Sequence, residues 1–263
     1  MSAARRLLKP AARRAERRFL VEGPQAVREA AAAGLLLEVF ATAAAAARHA
    51  FLAGLPVTEV AERTLGQLAE TVTPQGLIGV ARTVDVTLTE ALQHRPGLIA
   101  VLVDARDPGN AGTIIRVADA AGAGAVIFAS GAEGGSVDPH NGKCVRATAG
   151  SLFHVPVAVA PLEQTVAALR AAGVQLLAAD GHATLNLYQA DDRGLLAAPT
   201  AWLFGNEAHG LPAALVAAAD HAVQVPIHGR AESLNLASAA AVCLYASARR
   251  QPRGRAAGRK GAP

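Results

Sequence analysis

Three segments of the sequence carry polar residues and glycines at spacings that could bind a ligand and act on it. Asn110 to Arg116 reads Asn-x-Gly-x-x-x-Arg, Gly205 to Gly210 reads Gly-x-Glu-x-x-Gly, and Ser233 to Asn235 reads Ser-Leu-Asn. Each segment follows a predicted strand, and open α/β sheets bind ligands outside the carboxyl ends of their strands. We therefore expect these three segments to line a ligand site.

The first segment has the residue types of an anion site. Asn110 is a good N-cap for a helix predicted from Ala111 to Ala121. Because helical side chains tilt towards the N-terminus, the guanidinium of Arg116 is expected to reach the mouth of this helix beside exposed backbone N–H groups. That arrangement suits a phosphate, although the segment on its own is more simply a cap followed by a surface arginine.

The other two segments have the character of pocket walls. Gly205 at a strand end would let a ligand approach the backbone, and Glu207 and Gly210 form a polar turn before a helix near Pro212. Ser233 to Asn235 precedes a helix rich in small residues, which can pack close to its neighbours. An ordinary strand–turn–helix would also explain the second segment.

The elements that must position these segments alternate between strand and helix, which predicts an α/β fold with a mostly parallel sheet covered on both faces. The first 80 or so residues predict a smaller α/β unit. The expected divisions are a basic arm (1–18), a small domain (19–88), a linker (89–97), a large domain (98–250) and a basic disordered tail (251–263). The strands predicted in the large domain are Leu98–Asp104, Ala125–Ala129, His154–Ala160, Val174–Ala179, Ala201–Phe204 and His221–Pro226.

Basic charge is concentrated at the two ends of the 263-residue chain. Residues 1–18 carry seven Lys or Arg against one Glu, and residues 249–263 carry six and no acid. Each end therefore contributes +6, which leaves −8 of the net +4 for the residues between them. Basic arms can grip a polyanion with salt-sensitive affinity, or can be solvated tails. The placement favours a nucleic-acid partner.

Composition excludes several other classes of protein. Hydrophobic residues make up 52% of the chain and charged residues 17%, which excludes an intrinsically disordered protein. No apolar run is long enough to span a bilayer, and the first residues lack a secretory signal. Two distant cysteines and scattered histidines predict neither a disulfide framework nor a metal site. We expect an intracellular, cytoplasmic protein with no membrane or metal partner.

With these motifs in this order and spacing, residues 98–250 resemble the SpoU (TrmH-type) RNA ribose methyltransferases of the SPOUT superfamily. The stretch from Lys143 to Phe153 is similar to a further family segment. The N-terminal sequences FLVEGPQAVREA and TVTPQGLIGVA look like an L30e-like RNA substrate-binding domain.

This resemblance implies a C-terminal trefoil knot, S-adenosyl-L-methionine as cofactor, and a homodimer with its active site at the subunit interface. It implies catalytic roles for Asn110, Arg116, Glu207, Ser233 and Asn235. It implies cofactor contacts, mainly through backbone groups, at Leu203, Gly205, Val225, Ile227 and Leu234. From their place in the matched stretch, Lys143 and Arg146 are expected to contact RNA phosphates, or else to be a solvated surface pair.

The implied reaction is attack of a ribose 2′-hydroxyl on the cofactor's methyl group. Arg116 could act as general base, or could bind the adjacent phosphate and stabilise developing negative charge. The accessory domain favours ribosomal RNA over transfer RNA as substrate. A non-catalytic RNA-binding or ribosome-associated protein is an alternative, and a small-molecule methyltransferase is disfavoured by the basic ends and the accessory domain.

Overall fold

The computed structural model describes residues 1–131 and 135–251, which form two compact units. The first unit gathers three stretches of chain, namely 1–84, 108–116 and 137–154. The second contains 85–107, the described residues of 117–136, and the described residues from 155 onward. The boundaries expected from the sequence run continuously along the chain, so this division differs from them. The predicted tail lies outside the described residues except for Gln251.

Helices and strands follow one another along much of the chain. The α-helices are α1 (Ser2–Arg6), α2 (Pro10–Glu16), α3 (Pro24–Ala32), α4 (Ala43–Arg48), α5 (Glu62–Leu65), α6 (Leu88–Leu92), α7 (Pro108–Ala121), α8 (Gly142–Thr148), α9 (Leu162–Ala171), α10 (Leu187–Asp192), α11 (Ala213–Ala218) and α12 (Leu236–Arg250). The strands are β1 (Arg18–Glu22), β2 (Leu36–Ala41), β3 (Val57–Glu59), β4 (Leu77–Arg82), β5 (Asp85–Val86), β6 (Leu98–Val103), β7 (Ala125–Ser130), β8 (Val157–Pro161), β9 (Gln175–Ala179), β10 (Leu185–Asn186), β11 (Thr200–Phe204) and β12 (His221–Gln224). None of the described helices is long and apolar enough to cross a membrane.

The first unit is built on a four-stranded sheet of order β1-β4-β2-β3. Strand β4 runs antiparallel to β1 and β2, whereas β3 is parallel to β2. The predicted basic arm is folded here as α1 and α2, and Ala4 and Leu7 join Phe40 and Ile78 in one buried cluster. The apolar residues between the arm's arginines therefore make it part of a core.

A buried ionic cluster ties residues 137–154 into this unit. Arg13 of α2 is only 4% exposed, and its guanidinium pairs with the Asp138 carboxylate at 2.7 Å while donating to the Leu7 and Leu8 carbonyls. The Asp138 carboxylate also accepts the backbone N–H of His140, whose ring lies against Phe19. Every buried charge in this cluster has a partner, which is the condition for tolerating charge in an interior.

The second unit confirms the prediction of a mostly parallel sheet. Its eight strands have the order β10-β12-β9-β11-β6-β7-β8-β5, and every pairing is parallel. The buried run Leu98–Val103 alternates its side chains between the faces, so Ile99 and Val101 lie in a core cluster with Leu203. On the other face, Trp202 donates through Nε1 to Ser247 of α12.

Several elements differ from the sequence predictions. The two-residue strands β5 and β10 were not predicted, because so short a run has no periodicity to detect. Helix α6 lies inside the predicted linker, and its Ala91 is buried in the core of the second unit. Helix α7 begins at Pro108, three residues before the predicted start.

The Arg13–Asp138 cluster gives a pH-dependent stability. Burial alone would raise the pKa of Asp138, but hydrogen bonds from His140 and Arg13 outweigh it and hold the pKa well below its usual range. A depressed pKa means that the carboxylate stabilises the fold above its unfolded pKa of about 3.9, and that this contribution is lost as the pH falls towards the folded pKa. We expect Asp138→Asn to lower the free energy of unfolding by about 2 kcal/mol at pH 7, as for a hydrogen bond to a charged group.

Denaturant unfolding from pH 7 down to pH 2 measures this effect. The gap between wild type and Asp138→Asn should narrow below about pH 4, because Asp138 of the unfolded wild-type chain then takes up a proton while the folded carboxylate stays charged. Asp192→Asn, at an exposed aspartate, is the matched control. A gap that stayed constant down to pH 2 would contradict the ionic explanation.

Candidate active site

Glu207 holds the turn that leads from β6 into α7. Its carboxylate accepts two backbone N–H groups, with Oε2 at 3.1 Å from the nitrogen of Arg106 and Oε1 at 3.1 Å from that of Asp107. Glu207 follows β11, and β11 pairs with β6 in the sheet. One side chain from the second motif thus fixes the chain that enters the first motif.

The loop from Asn206 to Gly210 is closed on itself. The backbone N–H of each of these two residues donates to the carbonyl of the other, at 3.0 and 2.8 Å. The side-chain oxygen of Asn206 accepts the backbone N–H groups of Ala208 and His209. The side-chain nitrogen of Asn206 donates to the backbone carbonyl of Asp104 at 2.9 Å. This loop therefore presents Glu207 from a rigid turn.

The third motif lies on an exposed segment between β12 and α12. Asn235 is the N-cap of α12, and its side-chain oxygen accepts the backbone N–H groups of Ala237 and Ser238 at 2.9 and 3.3 Å. Ser233 and Leu234 are exposed directly before this cap. Capping by Asn235 fixes the direction in which the motif leaves the helix.

The first motif lies on α7, with one correction to its predicted geometry. Asn110 was expected to cap the helix, but Pro108 starts it, so Asn110 is the third helical residue. Proline is favoured at the first helical position, because its missing N–H would be unpaired there in any case. Arg116 is exposed six residues further along α7.

The division into units separates the five predicted catalytic residues. Asn110 and Arg116 lie in the first unit, and Glu207, Ser233 and Asn235 lie in the second. Within the second unit the structure brings Glu207 to the turn before α7, while Ser233 and Asn235 lie at the start of α12. Their assembly into one catalytic cluster stays a prediction.

The residues expected to contact a cofactor fall into two classes. Leu203 is fully buried, and its side chain packs in the core cluster that also contains Ile99 and Val101. A Cβ at Gly205 would collide with the backbone of Gly210 and Leu211, so its own loop already requires glycine there, and a cofactor contact at this residue stays a prediction. In contrast, the segment after β12 is accessible, with Val225 half-buried, Ile227 37% exposed and Leu234 39% exposed.

The two residues expected to contact RNA phosphates have different environments. Lys143 is exposed on α8. Arg146 is also on α8, but one terminal nitrogen pairs with both Glu22 at 3.1 Å and Glu70 at 3.0 Å. The expectation of a solvated pair is therefore wrong for Arg146, whose guanidinium links α8 to β1 and to the chain after α5.

Two residues outside the predicted set also hold these loops, namely Asp104 directly after β6 and Asn206 after β11. Asn206 lies inside the second motif, and Asp104 is the last residue of a predicted strand. The sequence signal for Asp104 is an aspartate directly after a buried apolar run. Such a residue lies at the carboxyl end of a strand, where parallel sheets bind ligands. In the described part of the chain, no three His, Cys, Asp or Glu side chains come together as metal ligands would.

Comparison with family models matches both parts of the chain. Residues 97–245 match the SpoU rRNA Methylase family, and residues 2–79 match an MRM3-like substrate binding domain.

Curated relatives share about a third of the sequence over much of its length. A 23S rRNA (guanosine(2553)-2′-O)-methyltransferase, RlmP, of Bacillus subtilis is 33% identical over 232 residues, which cover 86% of this chain and 87% of that protein. A 23S rRNA (guanosine-2′-O-)-methyltransferase, RlmB, of Bordetella pertussis is 34% identical over 204 residues, covering 76% of this chain and 80% of that protein.

Solved structures match most of the length of the chain. The AdoMet-bound rRNA methyltransferase from Sinorhizobium meliloti has a TM-score of 0.80 and 33% identity, covering 94% of this chain and 93% of that one. The SpoU methyltransferase AviRb from Streptomyces viridochromogenes, in complex with AdoMet, has a TM-score of 0.77 and 28% identity, covering 94% and 96%. From its motifs, its parallel sheet and these matches, the chain belongs to the SpoU rRNA methylase family.

Proposed function

We propose that this protein transfers a methyl group from S-adenosylmethionine to a ribose 2′-hydroxyl of 23S ribosomal RNA. The observation that carries the proposal is the pair of hydrogen bonds from the Arg106 and Asp107 backbone to Glu207, which joins the second motif to the turn before α7 at the carboxyl ends of two parallel strands. The substrate is proposed from the relatives, which are named as 23S rRNA 2′-O-methyltransferases.

The segment after β12 has the chemistry needed to hold the cofactor. Ile227 and Leu234 offer accessible apolar surface for an adenine ring, and the residues from Val225 to Asn235 lie outside helix and strand. Backbone N–H and C=O groups in such a segment can bind the polar edges of a ligand, while apolar side chains enclose it. When bound, S-adenosylmethionine supplies an electrophilic methyl group on a sulfonium.

Arg116 is proposed to bind the phosphate next to the target ribose and to stabilise the alkoxide that develops on its 2′-oxygen. A ribose hydroxyl is a weak nucleophile at neutral pH and needs either deprotonation or stabilisation of its negative charge. Arginine keeps its proton in proteins and presents a planar fork to phosphate oxygens, which favours stabilisation over general-base catalysis. Its exposure on α7 leaves the guanidinium accessible to RNA.

Glu207 and Asn235 are proposed to position the site, because their side chains are engaged with backbone groups. Glu207 receives the N–H groups of Arg106 and Asp107, and the Asn235 oxygen caps α12. Ser233, exposed between them in the motif order, is proposed to contact the RNA or the cofactor directly. Placement of the reactants by such groups supplies much of the rate of a transfer reaction.

A C-terminal trefoil knot and a homodimer with its active site at the subunit interface are also proposed. The all-parallel sheet supports the SPOUT fold that the knot belongs to. Exposed apolar side chains in and after the third motif support an interface there, namely Ile227, Leu234, Val242 and Tyr245. The first unit is proposed to be the L30e-like RNA-binding part, in line with the matched substrate-binding domain.

The proposed function predicts both cofactor binding and methyl transfer. Calorimetry with S-adenosylmethionine should show binding to the full chain, and labelled methyl should enter unmodified 23S rRNA at one ribose, mapped by resistance of the neighbouring linkage to alkaline cleavage. Binding of RNA without any binding of S-adenosylmethionine would instead support a non-catalytic RNA-binding protein. Transfer to transfer RNA but not to 23S rRNA would refute the ribosomal substrate.

Arg116→Lys tests the role of the guanidinium. The variant keeps a positive charge but loses the planar fork, so we expect kcat to fall about 100-fold, comparable to removing one charge-stabilising donor. The dissociation constant for S-adenosylmethionine should stay within about threefold of wild type. Arg63→Lys, at an exposed arginine of α5, is the matched control. Near-normal turnover of Arg116→Lys would exclude a special role for the guanidinium.

Lys143→Gln and Arg146→Gln separate an RNA contact from a structural ion pair. Loss of one phosphate contact at Lys143 should weaken RNA binding and reduce the slope of log K against log salt by about 1. Arg146→Gln should lower the melting temperature, since Glu22 and Glu70 lose their shared partner, and should leave the salt slope unchanged. A reduced slope for Arg146→Gln at unchanged stability would show that Arg146 binds RNA instead.

A further inference from the structure

Asp104 lies directly after β6 in a backbone conformation that non-glycine residues rarely adopt. Its φ is +50°, and its backbone N–H donates to the Ala129 carbonyl of β7 at 3.0 Å. Aspartate and asparagine tolerate the left-handed region better than most residues, but a free-energy cost remains. Such strain persists only where surrounding interactions hold it in place, and it clusters at functional sites.

The side chain of Asp104 fixes the end of the neighbouring strand. Its Oδ1 accepts the backbone N–H of Gly131, the residue after β7, at 2.9 Å. The approach is so close that a Cβ at Gly131 would lie 2.7 Å from Oδ2 of the same carboxylate. The ends of β6 and β7 are therefore joined by a contact that a side chain at 131 would force to shift.

The carbonyl of Asp104 fixes a third strand end. It accepts the side-chain amide of Asn206, the second residue after β11, at 2.9 Å. Since β7, β6 and β11 are adjacent in the sheet, three loops at its carboxyl edge meet at this one residue. Glu207 then holds the next two peptide groups, at Arg106 and Asp107.

We propose that Asp104 is a positioning residue for methyl transfer. Its left-handed backbone allows the carbonyl to receive Asn206 while the carboxylate receives Gly131, and a residue with an ordinary φ would redirect one of these two groups. Together they fix the turn that begins α7, which carries Asn110 and Arg116. This inference rests on the proposed methyltransferase function.

Three substitutions at Asp104 separate the backbone conformation from the carboxylate. Asp104→Asn keeps an acceptor and tolerates a positive φ, Asp104→Gly keeps only the conformation, and Asp104→Ala loses both. We expect Asp104→Ala to lower kcat for methylation of 23S rRNA about 100-fold, as for misplaced reacting groups, with KM for RNA within about threefold. Asp104→Gly should be intermediate, and Asp104→Asn should recover to within about threefold of wild type.

The matched control is Asp220→Ala, which lies at the amino ends of the strands of the same sheet. Asp220 also accepts a backbone N–H through its carboxylate, that of Leu176 in β9, at 2.7 Å, but it precedes β12 instead of following a strand. The two alanine variants should lose similar amounts in melting temperature, while only Asp104→Ala should lose kcat.

Two results would overturn the inference while the wild-type protein is active. One is a loss of kcat in Asp104→Ala no larger than in Asp220→Ala. The other is an Asp104→Asn variant as impaired as Asp104→Ala, which would assign the effect to the negative charge. A wild-type protein that transfers no methyl group to any RNA would overturn the proposed function and, with it, the role of Asp104 in transfer.

Discussion

Hydrogen bonds between the backbone of the turn after β6 and the side chains of the loop after β11 fix both segments in the second unit. A parallel sheet pairs its strands along their length, but the loops that leave its carboxyl edge have no ladder to join them. Here the Asn206 amide and the Glu207 carboxylate supply that link to Asp104, Arg106 and Asp107. The geometry of both loops depends on these bonds and on the five-residue register between β6 and β11 beneath them.

The basic residues of the chain are used in more than one way. Arg13 is buried against Asp138, Arg146 joins Glu22 and Glu70, and Arg249 and Arg250 both pair with Asp191. These arginines stabilise the fold, so a count of positive charge overstates the surface available to RNA. Net charge governs long-range attraction of a polyanion, whereas individual environments decide which cations can touch a phosphate.

The sequence predicts the main strands and the location of the motifs, because both depend on local patterns. Buried runs such as Leu98–Val103 are apolar throughout, as expected for strands covered on both faces. The predicted start of α7 at Ala111 is wrong by three residues, although proline is favoured at the first position of a helix and Pro108 occupies it. The roles of Asp104 and Arg146 depend on partners that are remote in the sequence, at Asn206 and at Glu22. No local pattern contains that information.

The composition of the first unit has a consequence for the order in which the chain can fold during synthesis. Arg13 and Glu22 emerge early from the ribosome, but their partners Asp138 and Arg146 follow more than a hundred residues later. Domains otherwise tend to fold from the N-terminus as they appear, and contacts between distant residues slow that process. The first unit therefore cannot complete its ion pairs at Arg13 and Glu22 until the chain has been translated through α8.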